Sequence, residues 1–241
     1  MIRLILVALF LIIYCLLSIP AYLIELIIGL ISKDAKVRSS QWLVCKLGFK
    51  PILFLSGVRL TVKGLENVPK DVPVLYVGNH RSYFDIIIGY TLAKNNTGFV
   101  AKKSMEKLPF VSVWMKFINC QFLDRENIKE GLKTVLKCID LVKGGTSIWI
   151  FPEGTRTPGN EMLSFKEGSF KIAEKTGCPI IPVAINNTEE IFENHMPRIK
   201  STRVTFEFGA PVDVASMDRA ARKHLGAHVQ AIIKDMVEKN S

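Results

Sequence analysis

Residues 4–24 carry no charge, a polar stretch opens at Lys33, and from about Arg59 short apolar runs alternate with stretches of helical period. As a helix the first run would be about 31 Å long, close to the hydrocarbon thickness of a bilayer. Three readings fit it: a signal peptide, a transmembrane helix, or a helix bent at Pro20 that dips into one leaflet, with a second, amphipathic helix over 41–55 beside it. The signal peptide fits worst, because the run is too long, no small-residue cleavage site follows and the positive charge lies downstream. The other two stay open, and both tether the rest of the chain to a membrane.

Beyond Arg59 the period changes. Residues 59–62 alternate like a half-buried strand, and 73–78 form a short apolar, β-branched stretch that predicts a buried strand. Residues 86–93 predict a helix packed on it. Further strands are predicted at 97–101, 121–123, 147–151 and 180–185, with an edge-type strand at 203–208. Helices are predicted at 128–142, closed by Gly144-Gly145, at 165–176, and from about 216 to 239. Strands alternating with helices argue an α/β sheet. No repeat or low-complexity segment interrupts it.

Composition sharpens the N-terminal picture. Hydrophobic residues make up 49% of 241, and the formal net charge is +10. Between Lys33 and Lys70 stand eight basic residues and two acidic ones, so +6 of that total follows the apolar run directly. Such a belt suits the anionic lipid surface of a cytoplasmic leaflet. Nucleic acid is the competing partner for a basic protein, but no nucleic-acid motif accompanies the charge. Five scattered cysteines, without a Cys-x-x-Cys, read as reduced cytosolic thiols and not as disulfides or a zinc site.

The candidate chemistry starts where the 73–78 strand ends, at Asn79-His80-Arg81-Ser82-Tyr83-Phe84-Asp85. Open α/β sheets bind ligands at strand carboxyl ends. Residues five apart on one helix point about 140° away from each other. His80 and Asp85 therefore meet only if His80 lies in the turn and Asp85 in the first turn of the helix. Asp85 would then hold one imidazole nitrogen and leave the other free to take a proton from a hydroxyl. The plainer alternative is that Ser82-x-x-Asp85 is a capping box and His80 an ordinary turn histidine. A second constellation is Phe151-Pro152-Glu153-Gly154-Thr155-Arg156, where a glycine permits close approach and Arg156 offers a forked donor to phosphate, with Lys166 beyond. Its alternative is a surface turn in which Glu153 and Arg156 pair. It is not a nucleotide loop, since Gly159 is followed by Asn160-Glu161. Lys102, Lys103 and Arg125 also follow predicted strands and would surround one electropositive pocket. His224 and His228 have no third ligand in view, and no Gly-x-Ser-x-Gly is present.

These blocks resemble the membrane glycerolipid acyltransferase family, most closely the bacterial 1-acyl-glycerol-3-phosphate acyltransferases. Asn79, His80, Ser82 and Asp85 match its Asn-His-x-Ser-x-x-Asp, and Phe122-Leu123-Asp124-Arg125 its arginine block. Residues 151–156 match Phe-Pro-Glu-Gly-Thr-Arg, with Thr157 for serine, and Cys178-Pro179-Ile180-Ile181-Pro182-Val183 the fourth block. The resemblance implies a mixed, mainly parallel sheet flanked by helices over 59–241, preceded by a membrane-anchoring helix or two-helix motif over 1–58. It implies His80 as base, oriented by Asp85, with Lys102, Arg125, Glu153, Gly154, Thr155 and Arg156 binding the acceptor's phosphate. Lysophosphatidate would be acylated from acyl-CoA or acyl-carrier protein as co-substrate, without cofactor, metal or nucleic acid, by a domain on the cytoplasmic face of the cell membrane. The same chemistry on another acceptor, or a silent lipid-binding protein, are the alternatives.

Overall fold

The computed structural model describes residues 1–157 and 161–241. Gly159 and Asn160, which exclude a nucleotide loop, lie outside the described residues. Helix α1 (Ile2–Ile31) runs unbroken through Pro20, which forfeits only one backbone hydrogen bond to the helix. Ser32 then turns the chain back. It is extended, and its hydroxyl accepts from the backbone N–H of Ala35 at 3.2 Å, capping α2 (Lys33–Leu43). A π-helical stretch (Val44–Phe49) joins α2 to α3 (Lys50–Ser56), which stops at left-handed Gly57. The second helix thus begins at Lys33 and not at 41. Its buried seam is Val37, Ser40, Val44, Gly48, Ile52 and Ser56, half of it small or hydroxylic, so counting apolar residues misses its start. Ser39 and Ser40 both donate to the buried Glu25 carboxylate of α1, at 2.8 and 2.9 Å. Away from this seam Leu9, Leu16, Leu23 and Leu30 are each more than half exposed, and α1 is the one described helix long and apolar enough to cross a membrane.

The chain continues through β1 (Arg59–Lys63), β2 (Leu75–Gly78), α4 (Tyr83–Leu92), β3 (Thr97–Lys102), α5 (Val111–Phe117), β4 (Gln121–Leu123), α6 (Ile128–Lys143), β5 (Ser147–Ile150), α7 (Lys171–Thr176), β6 (Ile180–Asn186), β7 (Arg203–Phe208), α8 (Arg219–Arg222) and α9 (Leu225–Lys239). Among the described residues the strands form one sheet, ordered β1-β7-β6-β2-β5-β3-β4. Only the β6–β7 pair is antiparallel, so the sheet is mixed and mainly parallel. Tyr76, Trp149, Val183 and Phe206 face one core with α4, α5 and the inner residues Val7, Val44 and Ile52 of the N-terminal helices. Leu75, Val77, Ile148 and Ile180 face the other, under α6, α7 and α9. Burial on both sides explains why the central strands read as unbroken apolar runs.

From β2 the chain crosses over one face, by α4, to β3; from β5 it crosses over the other, by α7, to β6. The carboxyl ends of β2 and β5 therefore flank a topological switch point, where open sheets leave a crevice. Four further differences from the sequence-based expectations follow. The strand at 203–208 is not an edge: β7 lies between β1 and β6, and alternates because Val204, Phe206 and Phe208 are buried while Thr205 and Glu207 are half-covered. Helix α5 has no counterpart in the sequence reading. The 165–176 helix shrinks to α7 behind a 3-10 turn at Glu167–Phe170, and the last helix is broken at Lys223-His224.

Candidate active site

His80 leaves the end of β2 in a four-residue turn, and every part of it but one nitrogen is held. The Asn79 amide prolongs the sheet by side chain, donating to Ile185 O and accepting from Ile185 N, both at 2.9 Å. The His80 N–H donates to Glu153 Oε1 at 2.8 Å, and its carbonyl accepts from Thr157 N at 2.9 Å. Its Nδ1 lies 2.8 Å from Asp85 Oδ2, and its ring stacks on Phe151 at 4.1 Å between centroids. Nε2 has no protein partner among the described residues, and the side chain keeps 13% of its surface exposed.

The capping box and the histidine partner turn out to be one carboxylate. Ser82 caps α4, and Asp85 closes the box. Asp85 Oδ2 accepts from Ser82 N at 2.8 Å and Arg81 N at 2.7 Å as well as facing His80. Three donors on one oxygen of a fully buried carboxylate stabilise its charge and fix its rotamer. His80 is in the turn and Asp85 in the first helical turn, as a five-residue spacing requires.

The second constellation is split by function. Glu153 does not pair with Arg156, and it does not face an anion site. It is 4% exposed, with Oε1 on the His80 N–H and Oε2 on Leu163 N and the Thr157 hydroxyl. A buried carboxylate with its lone pairs so occupied is a brace for the His80 backbone and is no partner for phosphate. Gly154 adopts φ +78°, and a Cβ there would meet Lys166 Nζ at 2.9 Å, so the glycine lets that ammonium lie over the turn. Arg156 crosses to α4: its guanidinium stacks on the Tyr83 ring at 3.8 Å, donates to Tyr83 Oη at 3.0 Å and pairs with Glu193 at 3.2 Å.

Lys102, Lys103 and Arg125 do come together, around a cavity of about 400 Å³ at the ends of β3 and β4, but Glu106, Asp124 and Glu126 line it too and Lys103 pairs with Glu106 at 3.0 Å, so the pocket is mixed in charge and not simply electropositive. Partial burial lowers the Arg125 guanidinium from its ordinary value, which leaves it a cation at neutral pH. This cluster lies at strands two and three places from β2 in the sheet. Behind Tyr83 an apolar cavity of about 290 Å³ runs between α1, α4, β3 and α5, lined by Leu11, Gly48, Ile87, Phe99, Ala101 and Trp114 among others. Burial pushes the Cys120 thiol up to about 11 and the Cys138 thiol up to about 12, so neither is a nucleophile at neutral pH.

Three site residues escaped the sequence reading, all on the segment after β6. The buried Thr188 hydroxyl donates to Asp85 Oδ1. Glu189 pairs with Arg81 at 2.9 Å, and Glu193 accepts from Ser82 Oγ at 2.7 Å and Tyr83 N at 2.9 Å while holding Arg156. No local spacing announces partners about a hundred positions away.

A family model described as Acyltransferase matches residues 59–186. A 1-acyl-sn-glycerol-3-phosphate acyltransferase of Borreliella burgdorferi is 33% identical over 200 residues, covering 83% of this chain and 78% of that one. A protein of the same name from Saccharomyces cerevisiae is 33% identical over 159 residues, 65% of this chain and 52% of its own length. The crystal structure of the 1-acyl-sn-glycerophosphate (LPA) acyltransferase PlsC from Thermotoga maritima superposes with a TM-score of 0.75 at 26% identity, covering 99% of this chain and 96% of that one.

Proposed function

The chain belongs to the acyltransferase family, and from that premise we propose that it acylates the sn-2 hydroxyl of 1-acyl-glycerol 3-phosphate, giving phosphatidate. The observation that carries this reading is a histidine clamped at its N–H, its carbonyl and Nδ1, with only Nε2 open to the crevice. Nε2 takes the hydroxyl proton while Asp85 stabilises the imidazolium that forms. The oxygen attacks the thioester carbonyl of acyl-CoA or acyl-carrier protein, the C–S bond breaks, and the leaving thiolate takes the proton back from the imidazolium. A thioester is already activated, so no enzyme nucleophile, cofactor or metal is required.

Arg156, Thr155 and Lys166 on one side and Lys102 and Arg125 on the other are the cations and donors for the acceptor's phosphate. The acyl chain lies in the apolar cavity behind Tyr83, whose lining suits hydrocarbon and little else. Residues 1–58 anchor the catalytic part, 59–241, in the bilayer where the acceptor lipid resides, with the domain on the cytoplasmic face. The test offers detergent-solubilised enzyme labelled acyl-CoA or acyl-carrier protein with lysophosphatidate, glycerol 3-phosphate or a lysophospholipid, and identifies each product. Phosphatidate as the main product, lost in a folded His80→Ala protein, is expected. Near wild-type turnover by His80→Ala would refute the mechanism, and preference for another acceptor would refute the substrate.

A further inference from the structure

The start of α1 and the segment between β6 and β7, nearly two hundred residues apart, meet to form an amphipathic groove. Its apolar part, about 650 Å³, is lined by Ile2, Leu6, Phe54, Leu55 and Ile199 around Arg3. It continues past Arg3 and Ile199 into a polar part of about 470 Å³, lined by Arg198, Lys200 and Ser201. Ile199 is 7% exposed and pins the segment to the core, so Arg198 and Lys200 on either side of it stay exposed. No ion pair closes on Arg3, Arg198 or Lys200 among the described residues. Glu190, which feels Lys200, is already held by His195 and Asn194. The groove floor is Gly57, where a Cβ would stand 3.0 Å from both Arg3 Nε and Ser201 Oγ.

We propose that this groove seats an anionic phospholipid of the bilayer, its phosphate among Arg3, Arg198 and Lys200 and its acyl chain along Ile2, Leu6 and Phe54. Phe54, 83% exposed, and the outer leucines of α1 continue the apolar part into the surface that meets lipid. The inference rests on the reading of α1 as membrane-embedded. It is separate from the basic belt at 33–70, because Arg198 and Lys200 join it only through tertiary structure. Each cation at an anionic membrane surface is worth about 1 kcal/mol, roughly fivefold in partition.

The experiment floats full-length protein with phosphatidylcholine vesicles, with and without phosphatidylglycerol. Wild type should prefer the anionic vesicles, and Arg198→Gln/Lys200→Gln should reduce that preference on the order of twentyfold. Lys143→Gln/Lys175→Gln, two exposed cations on the far side of the sheet, should leave it within about twofold. Equal losses from both pairs, or none from the first, would overturn the seat. Displacement by excess soluble glycerol 3-phosphate would also overturn it, since the groove would then hold free phosphate. Flotation with anionic vesicles alone would sink the embedding of α1, and with it the seat that rests on that reading. Flotation with neither vesicle would sink both.

Discussion

Thr188→Val isolates a contact outside the four sequence blocks. The hydroxyl is fully buried and among the described residues is the one side-chain donor on Asp85 Oδ1, while Oδ2 keeps Arg81 N, Ser82 N and His80. Valine is nearly isosteric, so packing is preserved and only the charged hydrogen bond is lost. Such a bond contributes about 1.5–3 kcal/mol. If that energy orients the carboxylate for the imidazolium-like transition state, turnover falls roughly ten- to hundredfold. The assay is kcat and KM for lysophosphatidate at saturating acyl donor, with melting temperature measured alongside. A positioning role lowers kcat while KM stays within about twofold, since Thr188 touches no phosphate donor. Thr188→Ser, which restores the hydroxyl, should recover most of the turnover. Wild-type kcat in the valine protein, or a serine protein no better than valine, would show that the contact serves folding alone.

Arg156→Lys keeps the charge but loses the planar fork, so kcat/KM for lysophosphatidate should fall about tenfold, and Arg156→Ala further; monoacylglycerol, which has no phosphate, should be affected far less by either, and equal losses would make Arg156 structural. Ala101→Leu narrows the apolar cavity by three carbons; at about 0.8 kcal/mol per methylene, the ratio of palmitoyl to lauroyl transfer should drop roughly sixtyfold, and an unchanged ratio would place the acyl chain elsewhere. A chain truncated to begin at Arg59 uncovers the core face that Val7, Val44 and Ile52 close, and it should aggregate in detergent-free buffer; a soluble monomer by size-exclusion chromatography would contradict that packing.

Much of this molecule is legible in one dimension. The apolar run of α1, the short strands buried on both sides and the α6 period each follow from a local pattern that burial imposes. The His80–Asp85 geometry is equally local, because a strand end, a turn and a helix start leave one way for residues five apart to meet. What escaped was set by neighbours distant in the sequence. Ser40, Gly48 and Ser56 form a helix seam because α1 packs closely there, and no hydropathy pattern marks small residues as interfacial. The alternation of β7 records cover on one face, which an edge strand would show too, so only strand order separates the two. Glu153 has the chemistry of a site residue and the location of a brace, a difference decided by which way its loop folds over His80. Thr188, Glu189 and Glu193 are ordinary residues until β6 delivers them to α4. The sequence by itself determined that His80 and Asp85 can meet; the tertiary structure alone decided what holds the pair still, because those hydrogen bonds join chain segments that meet only when the sheet is assembled.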